Sequence, residues 1–388
     1  MTDPAFAALD SALAARRVAG LYRNRRVVGA VDGVRVQVDG RTLVSFASND
    51  YLGLAGHPAI AAAARAGLAR WGVGAGASHL VSGHTAAHEA LERDLAAFVA
   101  PCEGATALTF SSGYLANLAI MTALAARGDV IVADRLNHAC LNDGALLARA
   151  KLVRYAHADA RAAARRIVAG DHRCLIATDA VFSMDGDLAP LPDLLALAEA
   201  NDAWLVVDDA HGFGVLGQGR GSLAHFGLRS PRIVYMGTLG KAAGVAGAFV
   251  AAHPAVIDTI VQTARPYIYT TAAPPLLADA LRASLAVIRD EPGRRAHLDA
   301  LVARFGDGAV ALPLLRLPSI TPIQPLVCGD SARAVALSAR LAERGFLVPA
   351  IRPPTVPEGG ARLRVSLSAA HSAADVDALV AALAEVAS

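Results

Sequence analysis

The chain has 388 residues, with 36 Lys and Arg against 34 Asp and Glu, a net charge of +2, and 54% hydrophobic residues. This length fits one large α/β domain with a smaller one, and the hydrophobic fraction excludes a disordered chain. The near-neutral charge and the aromatic content of 5% argue against a nucleic-acid-binding protein, which needs a basic surplus or stacking rings.

The cysteines and the N-terminal residues indicate the cellular compartment in which the protein works. Four cysteines lie far apart, at Cys102, Cys140, Cys174 and Cys328. They form no CxxC pair, which suits a reducing cytoplasm. Residues 1–17 carry acids before basic residues, the reverse of a secretory signal. Residues 104–126 lack charge over a length that could span a bilayer, but early Ser and Thr favour a buried strand, turn and helix. We therefore expect a cytoplasmic protein.

The N-terminal part predicts a helix and a hairpin. Phe6, Leu9 and Leu13 stand at helical spacing and predict an amphipathic helix over residues 5–17. Alternating apolar and polar residues at 34–40, followed by an apolar run at 43–48, predict a β-hairpin.

From about residue 58, helix-length segments alternate with short apolar runs. Helices are predicted over residues 58–71, 88–99, 115–126 and 192–202, and strands over 130–133, 174–178, 204–208, 233–237 and 246–252. This alternation indicates an α/β fold with a mostly parallel, buried sheet and crossover helices.

The C-terminal part differs in pattern. Charge, Pro and Gly near residues 290–292 end a helical run, and a smaller α+β unit with a final helix from Ala373 is expected beyond it. We divide the chain into an arm (1–50), a large domain (51–285) and a small C-terminal domain (286–388).

Two motifs follow predicted buried strands. DDAHGFG at 208–214 and TLGK at 238–241 therefore lie at the carboxyl ends of strands, where parallel sheets bind ligands. A lysine there can form a Schiff base, and an aspartate can keep a pyridinium nitrogen protonated, as pyridoxal 5′-phosphate (PLP) requires. A solvated cluster with a surface lysine is the alternative for either motif alone.

A third motif, SSGYLAN at 111–117, is a small-residue turn leading into a helix. Free backbone N–H groups at a helix start favour an anion such as a phosphate, although a plain N-cap at Ser112 is the better explanation of this motif taken alone. A phosphate site, a lysine and an aspartate together describe a PLP site.

Other motifs are weaker. Lys241 is followed by Ala242, which excludes a P-loop, and the glycine-rich segments 72–78 and 217–222 lack dinucleotide-binding spacing. His84 and His88 stand four residues apart without an obvious third ligand, so we predict no metal site. Residues 23–26 (RNRR) fit a solvated turn or a clamp for a carboxylate or phosphate.

Eight segments, taken in order, resemble the α-oxoamine synthases over nearly the whole chain from about residue 10. They are FASNDYLGL (46–54), SSGYLAN (111–117), NHACLNDG (137–144), FSMDGDLAPL (182–191), DDAHGFGVLGQGRG (208–221), TLGKAAGVAG (238–247), IYTTAAPP (268–275) and IRPPTVPEGGARLRVSLSAAH (351–371). Members of that family are PLP enzymes of the aminotransferase-like type I fold that condense an amino acid with an acyl thioester and release CO2.

The resemblance implies roles in chemistry for four residues. Lys241 corresponds to the Schiff-base lysine that also moves the proton of the α-carbon, and Asp208 pairs with the pyridine nitrogen. His211 hydrogen-bonds the ring oxygen, and His138 stacks on the ring and contacts the substrate.

The resemblance also implies binding residues and a homodimer with shared sites. For the cofactor these are the backbone groups of Gly113 and Tyr114, the side chains of Ser183 and Thr238, and Thr270 and Thr271 toward the partner subunit's phosphate. For the substrate they are Arg23 and Thr355, Arg352 on a carboxylate, and Asn49 lining the site.

Within the family, two segments favour the biotin-pathway branch, which joins L-alanine to a pimeloyl group carried by CoA or acyl carrier protein. His79 and Leu80 stand where glycine-using relatives usually carry an arginine, and residues 13–28 and 351–357 resemble that branch. The alternative is a sibling such as 2-amino-3-ketobutyrate CoA ligase, which uses glycine and acetyl-CoA.

Overall fold

The computed structural model describes residues 4–167, 170 and 172–387. Residues 1–3 of the predicted arm and Ser388 of the predicted C-terminal domain lie outside the described residues. The helices are α1 (Pro4–Val18), α2 (Pro58–Trp71), α3 (Ala86–Val99), α4 (Gly113–Leu124), α5 (Ala139–Leu147), α6 (Ala160–Ala164), α7 (Leu191–Ala200), α8 (Ser222–Phe226), α9 (Pro254–Thr263), α10 (Arg265–Ile268), α11 (Pro275–Asp290), α12 (Gly293–Gly308), α13 (Ser331–Glu343) and α14 (Ala373–Ala387).

The strands fall into three sheets. They are β1 (Val28–Asp32), β2 (Arg35–Val38), β3 (Arg41–Ser45), β4 (Thr106–Phe110), β5 (Val130–Asp134), β6 (Lys151–Tyr155), β7 (Cys174–Asp179), β8 (Trp204–Asp208), β9 (Ile233–Thr238), β10 (Ala248–Ala252), β11 (Leu315–Arg316), β12 (Ile323–Gly329), β13 (Phe346–Leu347), β14 (Ala350–Ile351) and β15 (Ala361–Ser366).

The central sheet has seven strands in the order β4-β10-β9-β8-β7-β5-β6. Strands β5 to β9 pair in parallel, and β10 runs antiparallel to both β9 and β4. Both faces are buried, since Val207 of β8 packs into one hydrophobic cluster and Val206 into the other. The mostly parallel α/β sheet predicted from the apolar runs is confirmed.

The prediction misses the edge strand β6, because Lys151 and Arg154 are exposed and interrupt the apolar run on which strand prediction depends. Helix α4 begins at Gly113, two residues before the predicted start, because the Ser112 side chain accepts a hydrogen bond from the Leu115 N–H and caps the helix there.

Two smaller sheets contain the remaining strands, and one of them pairs strands from the N-terminal and C-terminal parts of the chain. The predicted hairpin is present as the antiparallel pair β2–β3, and β13 from the C-terminal part adds to β3 in parallel. The other sheet, in the order β11-β12-β15-β14, is antiparallel. Strand β15 is buried along its whole length and carries Arg362 and Arg364 toward the central sheet.

Helix α1 is present as predicted, but its apolar side chains are not covered. Phe6 is 62% exposed and Leu9 is 61% exposed. Apolar side chains exposed in a row of this kind commonly form an interaction surface. Within the described residues, every helix is too short or too polar to cross a bilayer.

Candidate active site

A cavity of about 210 Å³ opens at the carboxyl ends of the parallel strands. Eight residues predicted for cofactor binding line it together: Gly113, Tyr114, His138, Ser183, Asp208, His211, Thr238 and Lys241. The lining also includes Cys140, Asp179, Ala210 and Met236, which the sequence analysis does not single out. Residues from five separate segments thus meet in one cavity.

Lys241 begins a chain of hydrogen bonds. Its Nζ lies 3.0 Å from His211 Nε2, and His211 Nδ1 lies 2.7 Å from the Tyr51 hydroxyl. The Tyr51 hydroxyl in turn donates to Asn49 Oδ1 at 3.2 Å. Asn49 is therefore connected to the site through Tyr51 rather than lining the cavity, and Tyr51 is a site residue that the sequence motifs do not reveal.

Burial sets the protonation of this pair. It lowers the pKa of Lys241, although the nearby carboxylates of Asp208 and Asp179 oppose the shift. Burial, reinforced by the neighbouring Lys241 and Arg364, lowers the pKa of His211 well below its usual range. His211 is therefore neutral, its Nε2 accepts from the lysine, and its Nδ1–H donates to Tyr51.

Asp208 ends β8 and is buried at the floor of the cavity. Its Oδ1 accepts from the Ala210 N–H at 3.0 Å, and its Oδ2 accepts from Asn117 Nδ2 at 2.7 Å. Asp179, at the end of the adjacent β7, accepts from the His138 backbone N–H. Burial, followed by repulsion from Asp208, raises the pKa of Asp179 well above its usual range.

The start of α4 forms another wall of the cavity. A Cβ atom at Gly113 would lie 2.9 Å from Thr238 Cγ2, so only glycine permits this close approach. The free N–H groups at this helix start can bind a phosphate. With a partly buried lysine for an aldehyde and a buried carboxylate for a ring nitrogen in the same cavity, the donor set fits PLP.

Arg364 is a site residue that the sequence analysis misses. Its side chain is buried and donates to the Ser183 carbonyl at 2.5 Å, to Asn49 Oδ1 at 3.2 Å and to the Tyr51 hydroxyl at 3.4 Å. Its position on β15 gives the only sequence indication, because an arginine inside a buried strand requires partners.

Three predicted substrate residues lie elsewhere. Arg23, Arg352 and Thr355 line a second cavity of about 480 Å³ with Arg16 and Asn24. The structure therefore brings Arg23, Arg352 and Thr355 to one another, but not to the lining of the cavity that holds Lys241. The Arg352 side chain also donates to the Gly20 carbonyl, which ties the loop to the end of the arm.

Thr270 and Thr271 are also outside the Lys241 cavity. They border a small separate cleft with Ser111, Tyr267 and His79. Thr271 is exposed, and it pairs through a β-bridge with Ser78. Within one chain, these threonines do not reach the cavity that contains Gly113 and Thr238.

The statement that His84 and His88 have no third ligand is corrected by the structure. His79 joins them, and its Nδ1 lies 2.9 Å from His84 Nδ1. One ring nitrogen from each of the three histidines lies within 4.8 Å of the other two, close enough for all three to bind one metal ion. His88 is already committed, however, because its Nδ1 accepts from the Thr85 N–H and its Nε2 donates to the Ala273 carbonyl. It thus completes the cap of α3 and anchors the segment that precedes α11.

A partly buried ionic cluster holds the loop that carries Ser183. His157 Nδ1 lies 3.1 Å from Asp134, and its Nε2 lies 2.9 Å from Asp187. Burial would lower the pKa of His157, but hydrogen bonds and charge attraction from both carboxylates raise it to about 10. The protonated ring therefore bridges β5 to the loop after β7.

We expect His157→Gln to lower the free energy of unfolding by about 2 kcal/mol near neutral pH, since two charge-assisted hydrogen bonds are lost. The folded pKa exceeds the ordinary value, so the stabilisation is complete below about pH 6.5 and disappears as the pH rises toward about 10. Urea unfolding at several pH values checks this.

Exposed His225 provides the matched control. His225→Gln should change stability by less than about 0.5 kcal/mol at every pH. A His157→Gln deficit that does not shrink at alkaline pH would contradict a protonated bridge.

Comparison with known proteins agrees with this geometry. The family description "Aminotransferase class I and II" matches residues 41–383. The chain belongs to this family. Curated relatives include 8-amino-7-oxononanoate synthase 2 of Polaromonas sp., 59% identical over 95% of each chain. They also include 8-amino-7-oxononanoate synthase of Nitrosomonas europaea, 55% identical over 98% of each chain.

Solved structures share the fold. A serine palmitoyltransferase variant from S. paucimobilis with a bound PLP–myriocin aldimine superposes with a TM-score of 0.91 at 26% identity, covering 99% of this chain and 98% of that one. The 8-amino-7-oxononanoate synthase of Francisella tularensis has a TM-score of 0.77 at 30% identity, covering 88% of this chain and 97% of that one. The predicted type I PLP fold is confirmed, and PLP is the cofactor of this family.

Proposed function

We propose that this enzyme joins L-alanine to a pimeloyl thioester with loss of CO2 and so produces 8-amino-7-oxononanoate. One observation carries the proposal: a partly buried lysine, a buried aspartate and a helix start face one cavity in a chain whose curated relatives bear that enzyme name. The same relatives favour this reaction over the glycine-using sibling.

PLP, when bound, supplies an electron sink for the α-carbon of an amino acid. Lys241 holds the cofactor and then takes the α-proton at Nζ and later returns it. Its lowered pKa suits this role, since the neutral amine is the base. His211, which accepts from Lys241 and donates to Tyr51, keeps Nζ in place.

The remaining cavity residues bind the cofactor. The Asp208 carboxylate would hold a proton on the ring nitrogen, and His138 would cover one face of the ring. The N–H groups of Gly113 and Tyr114 and the Thr238 hydroxyl would bind the phosphate, and Ser183 another oxygen. Dry surroundings strengthen each of these polar interactions.

Arg364 is the residue we assign to the α-carboxylate of the amino acid. It is buried, and its hydrogen bond to the Tyr51 hydroxyl connects it to His211, which contacts Lys241. Its four hydrogen bonds to described residues leave a guanidinium N–H for a ligand.

The second cavity suits the far end of a dicarboxylic acyl chain. Three guanidinium groups, from Arg16, Arg23 and Arg352, border it, and Thr355 adds a hydroxyl. Arginine binds carboxylates through paired N–H groups. We assign Arg23, Arg352 and Thr355 to the distal carboxylate of the pimeloyl group.

We also propose a cytoplasmic homodimer with shared sites, divided into the arm, large domain and small domain predicted from the sequence. Exposed apolar residues support a second copy, among them Phe6 and Leu9 of α1 and, in a separate segment, Leu80 and Val81. The placement of Thr270 and Thr271 outside their own Lys241 cavity agrees with a contribution to the partner subunit's phosphate site.

The test measures thiol release by the PLP-loaded protein with L-alanine or glycine as the amino donor. The acyl donors are pimeloyl-CoA, heptanoyl-CoA, which has the same chain length without the distal carboxylate, and acetyl-CoA. We expect a requirement for L-alanine and a preference of about 10- to 100-fold for pimeloyl over heptanoyl, the range of one charged hydrogen bond.

Preference for glycine with acetyl-CoA would overturn the proposed substrates. Equal rates with pimeloyl-CoA and heptanoyl-CoA would remove the assignment of the second cavity. Pimeloyl-acyl carrier protein, assayed in parallel, identifies the carrier.

A further inference from the structure

Four polar side chains at the Lys241 cavity, those of Asp208, Asn117, Cys140 and His138, are joined in a row by close contacts. Asn117 Nδ2 lies 2.7 Å from Asp208 Oδ2 and 3.0 Å from Cys140 Sγ. Cys140 Sγ lies 2.8 Å from His138 Nδ1. Asn117 is fully buried and Cys140 is 2% exposed. This row therefore connects the aspartate and the histidine that are assigned to the cofactor ring.

Only one assignment of hydrogen-bond donors and acceptors fits these four side chains. The two N–H groups of Asn117 donate to Asp208 and to Cys140, and the reverse amide orientation would put a carbonyl oxygen against the carboxylate. Burial raises the pKa of the Cys140 thiol to about 12, so it keeps its proton and can donate to His138 Nδ1. That nitrogen also accepts from the Cys140 N–H at 3.3 Å, which leaves Nε2 to carry the ring proton.

The side chain of Asn117 lowers the stability of the folded chain through one unpaired buried oxygen. Its Oδ1 is buried and has no hydrogen-bond partner among the described residues. An unpaired buried carbonyl is destabilising, whereas an apolar side chain of similar size would avoid the penalty. What the amide provides in return is its N–H contact with Asp208.

We propose that Asn117 is a positioning residue that orients Asp208 toward the cofactor ring nitrogen, and that Cys140 holds Asn117 in that orientation. The inference rests on the proposed function, since it assumes that Asp208 meets the ring. Asn117 and Cys140 act through Asp208 and touch no reacting atom. The Asn117 amide on Oδ2 and the Ala210 N–H on Oδ1 together fix the plane of the Asp208 carboxylate.

The test uses full-length protein loaded with PLP carrying a ¹⁵N label at the ring nitrogen. The ring-nitrogen NMR resonance reports protonation directly, and titration with unlabelled PLP gives the Kd. In Asn117→Ala we expect the resonance to move toward the unprotonated form and PLP to bind about 10-fold more weakly. Cys140→Ala should change the ring-nitrogen resonance and the Kd for PLP in the same direction, but less than Asn117→Ala does. Cys140→Ser keeps a hydrogen-bond donor and acceptor, so its resonance and Kd should lie close to the wild-type values.

Two residues serve as matched controls. Asn142 also has an unpaired buried Oδ1, and Cys174 is a buried thiol in β7, but neither lines the cavity. Asn142→Ala and Cys174→Ser should leave the ring resonance and the Kd unchanged. Asn117→Leu, which has the same branching and number of heavy atoms but no N–H donor, replaces Asn117→Ala if the smaller side chain prevents folding.

The outcomes separate this inference from the proposed function. A folded Asn117 variant with a wild-type ring resonance and a wild-type Kd would overturn the inference alone. Failure of the wild-type protein to bind PLP would overturn both. Equal shifts in the Asn142→Ala control would show a general packing effect and would also overturn the inference.

Discussion

Lys241→Ala is expected to lower turnover by at least about 10³-fold, because the variant loses both the attachment of the cofactor and the base at the α-carbon. The fold should survive, with a change in the free energy of unfolding within about 1 kcal/mol, because a buried amine contributes little to stability. Steady-state thiol release and urea unfolding measure the two quantities.

The chain offers a sharp control, because its only other lysine is Lys151. Lys151 is exposed at the start of β6 and does not line the cavity. Lys151→Ala should keep full turnover. Borohydride reduction of the PLP-loaded protein should then fix the cofactor to the peptide containing Lys241 and not to the one containing Lys151. Robust turnover by Lys241→Ala would remove the lysine from the mechanism.

Asp208→Asn is the second substitution for which we expect a large effect, a fall in kcat of about 10²- to 10⁴-fold. A neutral amide of the same shape cannot keep a ring nitrogen protonated, so the electron sink is lost while the cavity keeps its form. The Ala210 N–H can still find an oxygen acceptor, so the fold should persist. Turnover and the ¹⁵N resonance of the ring nitrogen report the change.

The adjacent Asp209 makes a matched control. Its carboxylate is equally buried, but it accepts from the Ser222 N–H and hydroxyl and from the Tyr235 hydroxyl, and it does not line the cavity. Asp209→Asn should lower stability by about 1–3 kcal/mol and leave the ring resonance unchanged. A protonated ring nitrogen in Asp208→Asn would contradict the role of Asp208.

These expectations differ in how far the sequence alone supports them. Lys241 and Asp208 are predictable, because each follows a run of apolar residues that reads as a buried parallel strand. Parallel strands end at the same edge of a sheet, so two polar side chains at two such ends must converge. The helix at SSGYLAN is predictable for a similar local reason, although its start at Gly113 lies two residues before the predicted one.

Arg364, Tyr51 and Asn117 could not be assigned in this way. Arg364 and Tyr51 lie 313 residues apart in the chain, yet their side chains share a hydrogen bond. Asn117 and Asp208 are separated by 91 residues. Contacts of this kind depend on how strands and helices pack, and no local periodicity records that packing.

The sequence by itself determined the α/β class, the edge of the sheet that binds the cofactor and the residues at the strand ends, because these follow from local patterns of apolar and polar residues. Only the tertiary structure decided that Arg23 and Arg352 line a second cavity apart from Lys241, that His79 joins His84, and that Asn117 supports Asp208. These features depend on side chains from distant segments meeting within a few ångströms, which only the packed chain specifies.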